Sequence, residues 1–208
     1  MDFLVCALTG YLIGCMNPAY FVGRKKGMDI RTEGSGNAGA SNALILFGKL
    51  VGILCAVFDI AKTWFVIWLC RRMFPGSAFT FVVPAVACIL GHVFPVHMGF
   101  RGGKGLACLG GMILTYDWRV FLLMLTAELI LTLITDYLCF VPVTASCVFV
   151  LVYGIMEKDW LGSVLLMIPA VVIFLRHREN FRRIRQGTEL HLSYLWRPET
   201  ELKRVGYK

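Results

Sequence analysis

The chain has 208 residues, 58% of them hydrophobic and only 16% charged, with a formal net charge of +8. Soluble domains average roughly 45–50% apolar and about 25% charged residues, so this composition, with a mean hydropathy of +0.70, excludes a water-soluble globule. Crossing a hydrocarbon core of about 30 Å takes about 20 apolar residues, which leaves room for at most about seven or eight spans and for no separate soluble domain. The positive charge suits loops facing anionic phospholipid headgroups. Nucleic acid, which needs a contiguous basic face on a soluble surface, is not an expected partner.

In chain order, the first apolar run extends from Phe3 to Gly23 and stops at Arg24, Lys25 and Lys26. Its positive charge follows the run instead of preceding it, so it reads as a retained span and not as a removed leader. Leu50 to Cys70 is a second run, interrupted by Asp59 and Lys62, and Met73 to Phe100 is a third. Gly105 to Tyr116, Val120 to Thr135 (containing Glu128), Tyr137 to Met156 and Trp160 to Leu175 complete a count of about seven spans. The expected architecture is an all-α polytopic membrane protein forming a single transmembrane domain over residues 1–208, with a basic cytoplasmic tail from about residue 177. The eight cysteines form no Cys-x-x-Cys pair and read as small buried hydrophobes, so no metal site is expected.

Cytoplasmic segments retain Lys and Arg. With the N-terminus outside and seven spans, sixteen of the 21 basic residues fall inside and four outside, with Lys62 within a span. Six or eight spans would place the basic tail outside.

Eleven of the 21 glycines lie in two stretches, Gly34 to Lys49 and Gly91 to Gly111, both on the cytoplasmic side of this topology. Clustered glycines let backbone N–H groups approach an anion, and a following helix adds its positive dipole end. Close helix packing is the competing explanation for each stretch alone. Their side chains favour a site: Ser35, Asn37, Ser41 and Asn42 in the first, and Arg101 and Lys104 around Gly102 and Gly103, with His92 nearby, in the second. Neither stretch is a nucleotide-binding P-loop, because Gly105 follows Lys104. A third polar cluster begins at His177, which shares a helical face with Asn180. The arginines around it read as an ordinary basic stop with snorkelling side chains.

The segments GSGNAGASN, GHVFPVHMGFRGGKG and HRENFRRIRQGTE resemble, in this order, the three signature motifs of the bacterial integral-membrane acyl-phosphate:glycerol-3-phosphate acyltransferases of the PlsY type. The resemblance implies a seven-helix enzyme of the bacterial inner (plasma) membrane with its site at the cytoplasmic face. It implies acyl transfer from acyl phosphate to glycerol 3-phosphate, giving lysophosphatidic acid, with no metal or nucleotide cofactor. A transient contact with the enzyme that supplies acyl phosphate is also expected. Carried over residue by residue, it makes Ser35, Asn37, Lys104, His177 and Asn180 the catalytic candidates. Gly34, Gly36, Gly39, Asn42, His92, Arg101, Gly102, Gly103, Gly105 and Glu179 are the substrate-binding candidates. Within that set, Asn42 is assigned to closing a helix start, Lys104 to pairing with phosphate, and Glu179 to ordering the neighbouring basic residues.

The chain departs from the family at two places. Ile45 stands where members usually have an arginine, and Asp136 to Pro142 replaces a basic, serine-containing loop. Arg31, Lys49 and His97 are the candidates to compensate. Two alternatives follow: a divergent paralogue with another acceptor, or a transporter or binder of a small anionic metabolite using Asp59, Lys62 and Glu128. One-sided clustering of the polar segments argues against transport, which needs a site reachable from both faces. Asp59 and Lys62, one helical turn apart, are expected to pair.

Overall fold

The computed structural model describes residues 1–206. Its α-helices are α1 (Asp2–Gly14), α2 (Pro18–Lys25), α3 (Ala40–Phe47), α4 (Lys49–Met73), α5 (Val82–Val93), α6 (Leu106–Tyr116), α7 (Trp118–Thr135), α8 (Val141–Glu157), α9 (Trp160–Arg176), α10 (Arg178–Arg185) and α11 (Pro198–Val205). Short 3-10 turns complete the secondary structure, and no strand occurs among the described residues.

Six segments are long and apolar enough to cross a membrane: Asp2–Lys25, Lys49–Met73, Ala78–Met98, Trp118–Thr135, Leu138–Glu157 and Trp160–Arg185. The fourth expected span is the shorter helix Leu106–Tyr116. At 1.5 Å per residue its length is about 16 Å, roughly half the hydrocarbon thickness. It nevertheless runs from one end of the bundle to the other. Gly105, at its start, lies beside Val93 and Ile173 at the ends of α5 and α9. Tyr116, at its finish, donates a 2.7 Å hydrogen bond to Glu157 at the end of α8.

The first apolar run is not one helix. Pro18 lacks the N–H that would continue α1, so the chain breaks at residues 15–17 and Asn17 caps α2 by accepting from the Tyr20 N–H at 2.9 Å. The break frees backbone carbonyls in an apolar environment, where each needs a donor. Lys62 of α4 supplies one, reaching Gly14 O at 3.1 Å and Met16 O at 2.7 Å.

The helices pack closely through glycine. A Cβ on Gly14 would lie 2.2 Å from Cys88 O, and one on Gly91 would lie 2.2 Å from Tyr11 O, so α1 and α5 meet almost backbone to backbone. Gly91 and Gly111, counted within the glycine-rich second stretch, are therefore packing residues; a Cβ on Gly111 would meet Ile60 O at 2.3 Å. The main core lies among α1, α4, α5, α6, α8 and α9 around Ile67, Ile89, Phe149 and Ile173. The outer faces expose Leu4, Leu12, Ile134, Ile155 and Leu161, the apolar-outward surface that lipid requires. Seven of the eight cysteines are buried and all are free, in keeping with their role as core hydrophobes.

Candidate active site

The loop between α2 and α3 is organised from within. Asn42, fully buried, donates through Nδ2 to Ile30 O at 2.9 Å and Glu33 O at 3.0 Å, and its Oδ1 accepts from the Ser35 N–H at 2.9 Å. It sits inside α3, whose N-cap is Gly39 without a side-chain cap, so Asn42 holds the loop and does not close the helix start. The glycine at 34 is obligatory: φ is +56° there, and a Cβ would lie 2.3 Å from Asn42 Oδ1. Gly36 also has positive φ, +68°. Asn37 Oδ1 is buried without a hydrogen-bond partner among the described residues. A buried acceptor left open costs free energy unless a ligand donates to it.

The second loop, from His92 to Gly105, folds back on α5 through Gly102 N–H to Val93 O at 3.0 Å and Gly103 N–H to His92 O at 3.1 Å. The approach is too tight for a side chain. A Cβ on Gly102 would fall 2.1 Å from His92 O, and one on Gly103 would fall 2.1 Å from His92 Nε2 and 3.0 Å from Ala38 O. Gly103 thus joins the first loop to the second. Gly105, at φ +92°, starts α6.

The third segment closes on the same loop. Lys104 Nζ donates to Asn180 Oδ1, and an ammonium can only donate, so this contact fixes the amide orientation. Asn180 Nδ2 then donates to Glu189 Oε1 at 2.6 Å, and Glu189 Oε2 accepts from Arg183 Nε at 2.6 Å. Arg176 reaches Gly102 O at 3.4 Å, and its Nε is buried without a partner among the described residues. His177 and Asn180 are buried while Arg178 and Glu179 between them are exposed, the one-face arrangement expected from spacing. His177 Nδ1 lies 2.8 Å from Ile173 O; a carbonyl accepts only, so Nδ1 carries the proton and Nε2 keeps a lone pair.

The electrostatics select an anion. Arg183 and Arg176 both act on Lys104, and Arg101 acts on Arg176, with the Glu189 carboxylate the nearby counter-charge. Burial, reinforced by the two arginines and opposed by Glu189, lowers the Lys104 pKa to about 8. An anionic ligand would relieve the surplus positive charge.

Beneath this surface lies a buried ionic cluster. Lys62 Nζ is 2.7 Å from Asp59 Oδ1 and 3.0 Å from His92 Nδ1, so the expected Asp59–Lys62 pair forms and extends to the second motif. His92 Nδ1 faces both the Lys62 ammonium and, at 3.4 Å, Asp59 Oδ1, and its Nε2 lies beneath Gly103. Asp59, His92 and Cys108 bring three ligand-type atoms within 4.8 Å of one another. The Lys62 ammonium already stands against two of these groups and supplies the balancing positive charge.

Several sequence expectations shift in place or role. Ser35 stays in the loop held by Asn42 and makes no hydrogen bond to the other two segments among the described residues. Arg101 is exposed. Glu179 makes no ion pair among the described residues, and Glu189 takes the ordering role assigned to it, because Asn180 and Arg183 turn inward and Glu179 outward. Arg176, read as part of a basic stop, turns instead toward the Gly102 carbonyl of the second loop. Arg31 is held by Asp29, by Met98 O and by the Tyr20 ring 5.2 Å away; these contacts tie the first two loops together and hold the Asp29 pKa at about 2. His97 stacks on Phe21 at 5.9 Å. Glu128 finds its partner on α8, accepting from Thr144 Oγ1 at 2.8 Å.

The glycerol-3-phosphate acyltransferase family model matches residues 4–187. The chain belongs to this family. The glycerol-3-phosphate acyltransferase of Thermotoga petrophila is 34% identical over 190 residues, covering 91% of this chain and 96% of the relative. That of Lactiplantibacillus plantarum is 32% identical over 208 residues, covering 98% and 100%. The crystal structure of PlsY, an integral membrane glycerol 3-phosphate acyltransferase in its glycerol 3-phosphate form, aligns with a TM-score of 0.84 at 28% identity, covering 94% of this chain and 98% of PlsY. Its lysophosphatidic acid form aligns with a TM-score of 0.80 at 27% identity, covering 92% and 95%. Family membership makes the chain a membrane acyltransferase and leaves the transport alternative without support. Glu189 and Arg183, within the third segment, and Arg176, just before it, join the Lys104–Asn180 cluster without having been among the candidate residues, and the contacts of Lys62 beyond Asp59 were likewise not legible. The available signal was charge in or beside an apolar segment, which tells that a partner is needed and not which one.

Proposed function

We propose that this chain transfers a fatty acyl group from acyl phosphate to the hydroxyl of glycerol 3-phosphate, giving lysophosphatidic acid for phospholipid synthesis. The observation that carries this reading is the cationic junction of Lys104 and Asn180 with Arg183 and, against Gly102, Arg176, which leaves polar atoms unpartnered at Arg176 and Asn37 among the described residues. Lys104 and Asn180 hold and orient the glycerol phosphate. Asn37 meets the acyl phosphate through its Nδ2, and the acyl chain lies in the groove lined by Leu106, Leu109, Phe121, Met124 and Ala145, with Glu128 at its wall.

Acyl phosphate is a mixed anhydride, so the reaction needs orientation and oxyanion stabilisation and no covalent enzyme intermediate. The acceptor hydroxyl oxygen bonds to the acyl carbon, the bond from that carbon to the phosphate oxygen breaks, and inorganic phosphate leaves. The hydroxyl proton passes to His177 Nε2, whose lone pair is left free by the bond from Nδ1 to Ile173. Product and phosphate together balance the substrates.

The chain works as one transmembrane unit that crosses the bilayer seven times, counting the short α6, with the N-terminus outside and the site at the cytoplasmic face of the inner membrane. The end-to-end course of α6 and the distribution of Lys and Arg support this orientation. Acyl phosphate arrives from the enzyme that makes it, through a transient encounter at the bilayer surface.

The test is purified protein in lipidic mesophase with acyl phosphate and labelled glycerol 3-phosphate, following lysophosphatidic acid and phosphate release together. Equal formation of both supports the reading. Phosphate release without lysophosphatidic acid assigns a different acceptor, and neither product overturns acyl transfer from this donor.

A further inference from the structure

The family match ends at residue 187, yet the chain beyond it is firmly attached to the site. Arg204 of α11 donates to Gly187 O at 2.7 Å and to Glu189 O at 2.6 Å, and it pairs with Glu201 at 2.7 Å. Glu201 is 6% exposed, and its Oε2 accepts from the His191 N–H at 3.2 Å. A solvated terminal helix would hold neither a buried carboxylate nor a guanidinium spread over two backbone carbonyls.

The same segment also docks on the turn between α7 and α8. Leu192 N–H donates to Asp136 O at 2.9 Å, and the His191 ring meets Tyr137 edge-on at 5.0 Å, with Nε2 3.1 Å from the Tyr137 hydroxyl. The tail therefore straps this turn to the backbone that bears Glu189, and Glu189 is the residue that orients Asn180 toward Lys104.

We infer that Arg204 is a positioning residue for acyl transfer: by clamping the carbonyls of Gly187 and Glu189 against Glu201, it holds the Glu189 carboxylate on Asn180 and so fixes Lys104 for the phosphate of glycerol 3-phosphate. The inference rests on the assignment of Lys104 and Asn180 to that substrate. Around Lys104 the facing charged or titratable groups are Glu189, Arg183, Arg176, Cys139 and His177, and Glu189 is the carboxylate that favours the ammonium. Loosening Glu189 leaves the two arginines unopposed.

The experiment compares the full-length enzyme with Arg204→Ala and Arg204→Lys. Arg204→Ala is expected to raise KM for glycerol 3-phosphate about tenfold, the equivalent of one charge-assisted hydrogen bond. KM for acyl phosphate stays unchanged, and the alkaline limb of kcat/KM moves to lower pH. Arg204→Lys, which keeps the charge and part of the clamp, is expected to recover part of both shifts, and it carries the test alone should the alanine variant not fold. A lower yield or kcat with both KM values and the pH limb unmoved shows a merely structural tail and overturns the inference. Lys104→Ala in the same assay separates the two claims: full activity there overturns the site assignment, whereas an inactive Lys104→Ala beside an unaltered Arg204→Ala overturns only the role of the tail.

Discussion

Lys104 donates to Asn180 Oδ1 across 76 positions of sequence, joining the loop before α6 to the helix after α9. Through Asn180 Nδ2 the link continues to Glu189 and Arg183. Lys104→Ala and Asn180→Ala are each expected to lower kcat/KM at least about 10- to 100-fold, taking a charged hydrogen bond as worth about 1.5–3 kcal/mol. The double variant should lose less than the product of the two, because the residues act as a unit. Lysophosphatidic acid formation beside unchanged melting curves is the measurement, and additive losses would separate the roles of the two groups.

The ammonium of Lys104 pairs with phosphate only while protonated. Its lowered pKa, about 8, places the loss of that charge just above neutrality instead of near the usual lysine value. Activity that depends on the ammonium is therefore present below about pH 8 and lost as pH rises through it. Glu189→Gln removes the opposing carboxylate and should move this alkaline limb to lower pH. A pH profile of kcat/KM for both enzymes checks the sign.

Lys62 is one of the most costly positions to neutralise. Lys62→Met would leave Asp59 charged and buried, with the carbonyls of Gly14 and Met16 also losing their donor. Breaking a buried pair from one side costs about 3–5 kcal/mol. Thermal unfolding in detergent should show a large fall, and the double variant Lys62→Met with Asp59→Leu should recover part of it.

Gly103→Ala tests the junction of the first two motifs. The added methyl would collide with His92 Nε2, on a ring held by Lys62 through Nδ1, and would press on Ala38 O. Activity should be lost with little change in the outer helices, measurable as loss of turnover with near-native helical circular dichroism. Gly27→Ala, with open space around its Cβ although its φ is +75°, should keep activity.

Asn42→Ala removes three hydrogen bonds that shape the loop before α3. At about 0.5–1.5 kcal/mol each, a stability loss of a few kcal/mol is expected, with a rise in KM for both substrates as the loop loses its form. Asn42→Asp, which retains the acceptor for the Ser35 N–H but not the two donors, should fall between.

The sequence by itself determined the membrane class, the helical architecture and the three segments that build the site. Hydropathy sums over a segment wherever that segment packs, and glycines such as Gly34 answer to the local backbone and its near neighbours. The one-face placement of His177 and Asn180 is likewise a property of helical periodicity. Tertiary structure alone decided the partners. Lys62 could satisfy any freed carbonyl, and its match with Gly14, 48 positions away, depends on where the break before Pro18 meets α4. Glu179 adjoins Asn180 in sequence but faces outward, whereas Gly187, at φ +68°, reverses the chain and returns Glu189 to it. The strap formed by Arg204 was hidden for the same reason: a charge shows that a group must be satisfied, and only the path of the distant chain shows by what.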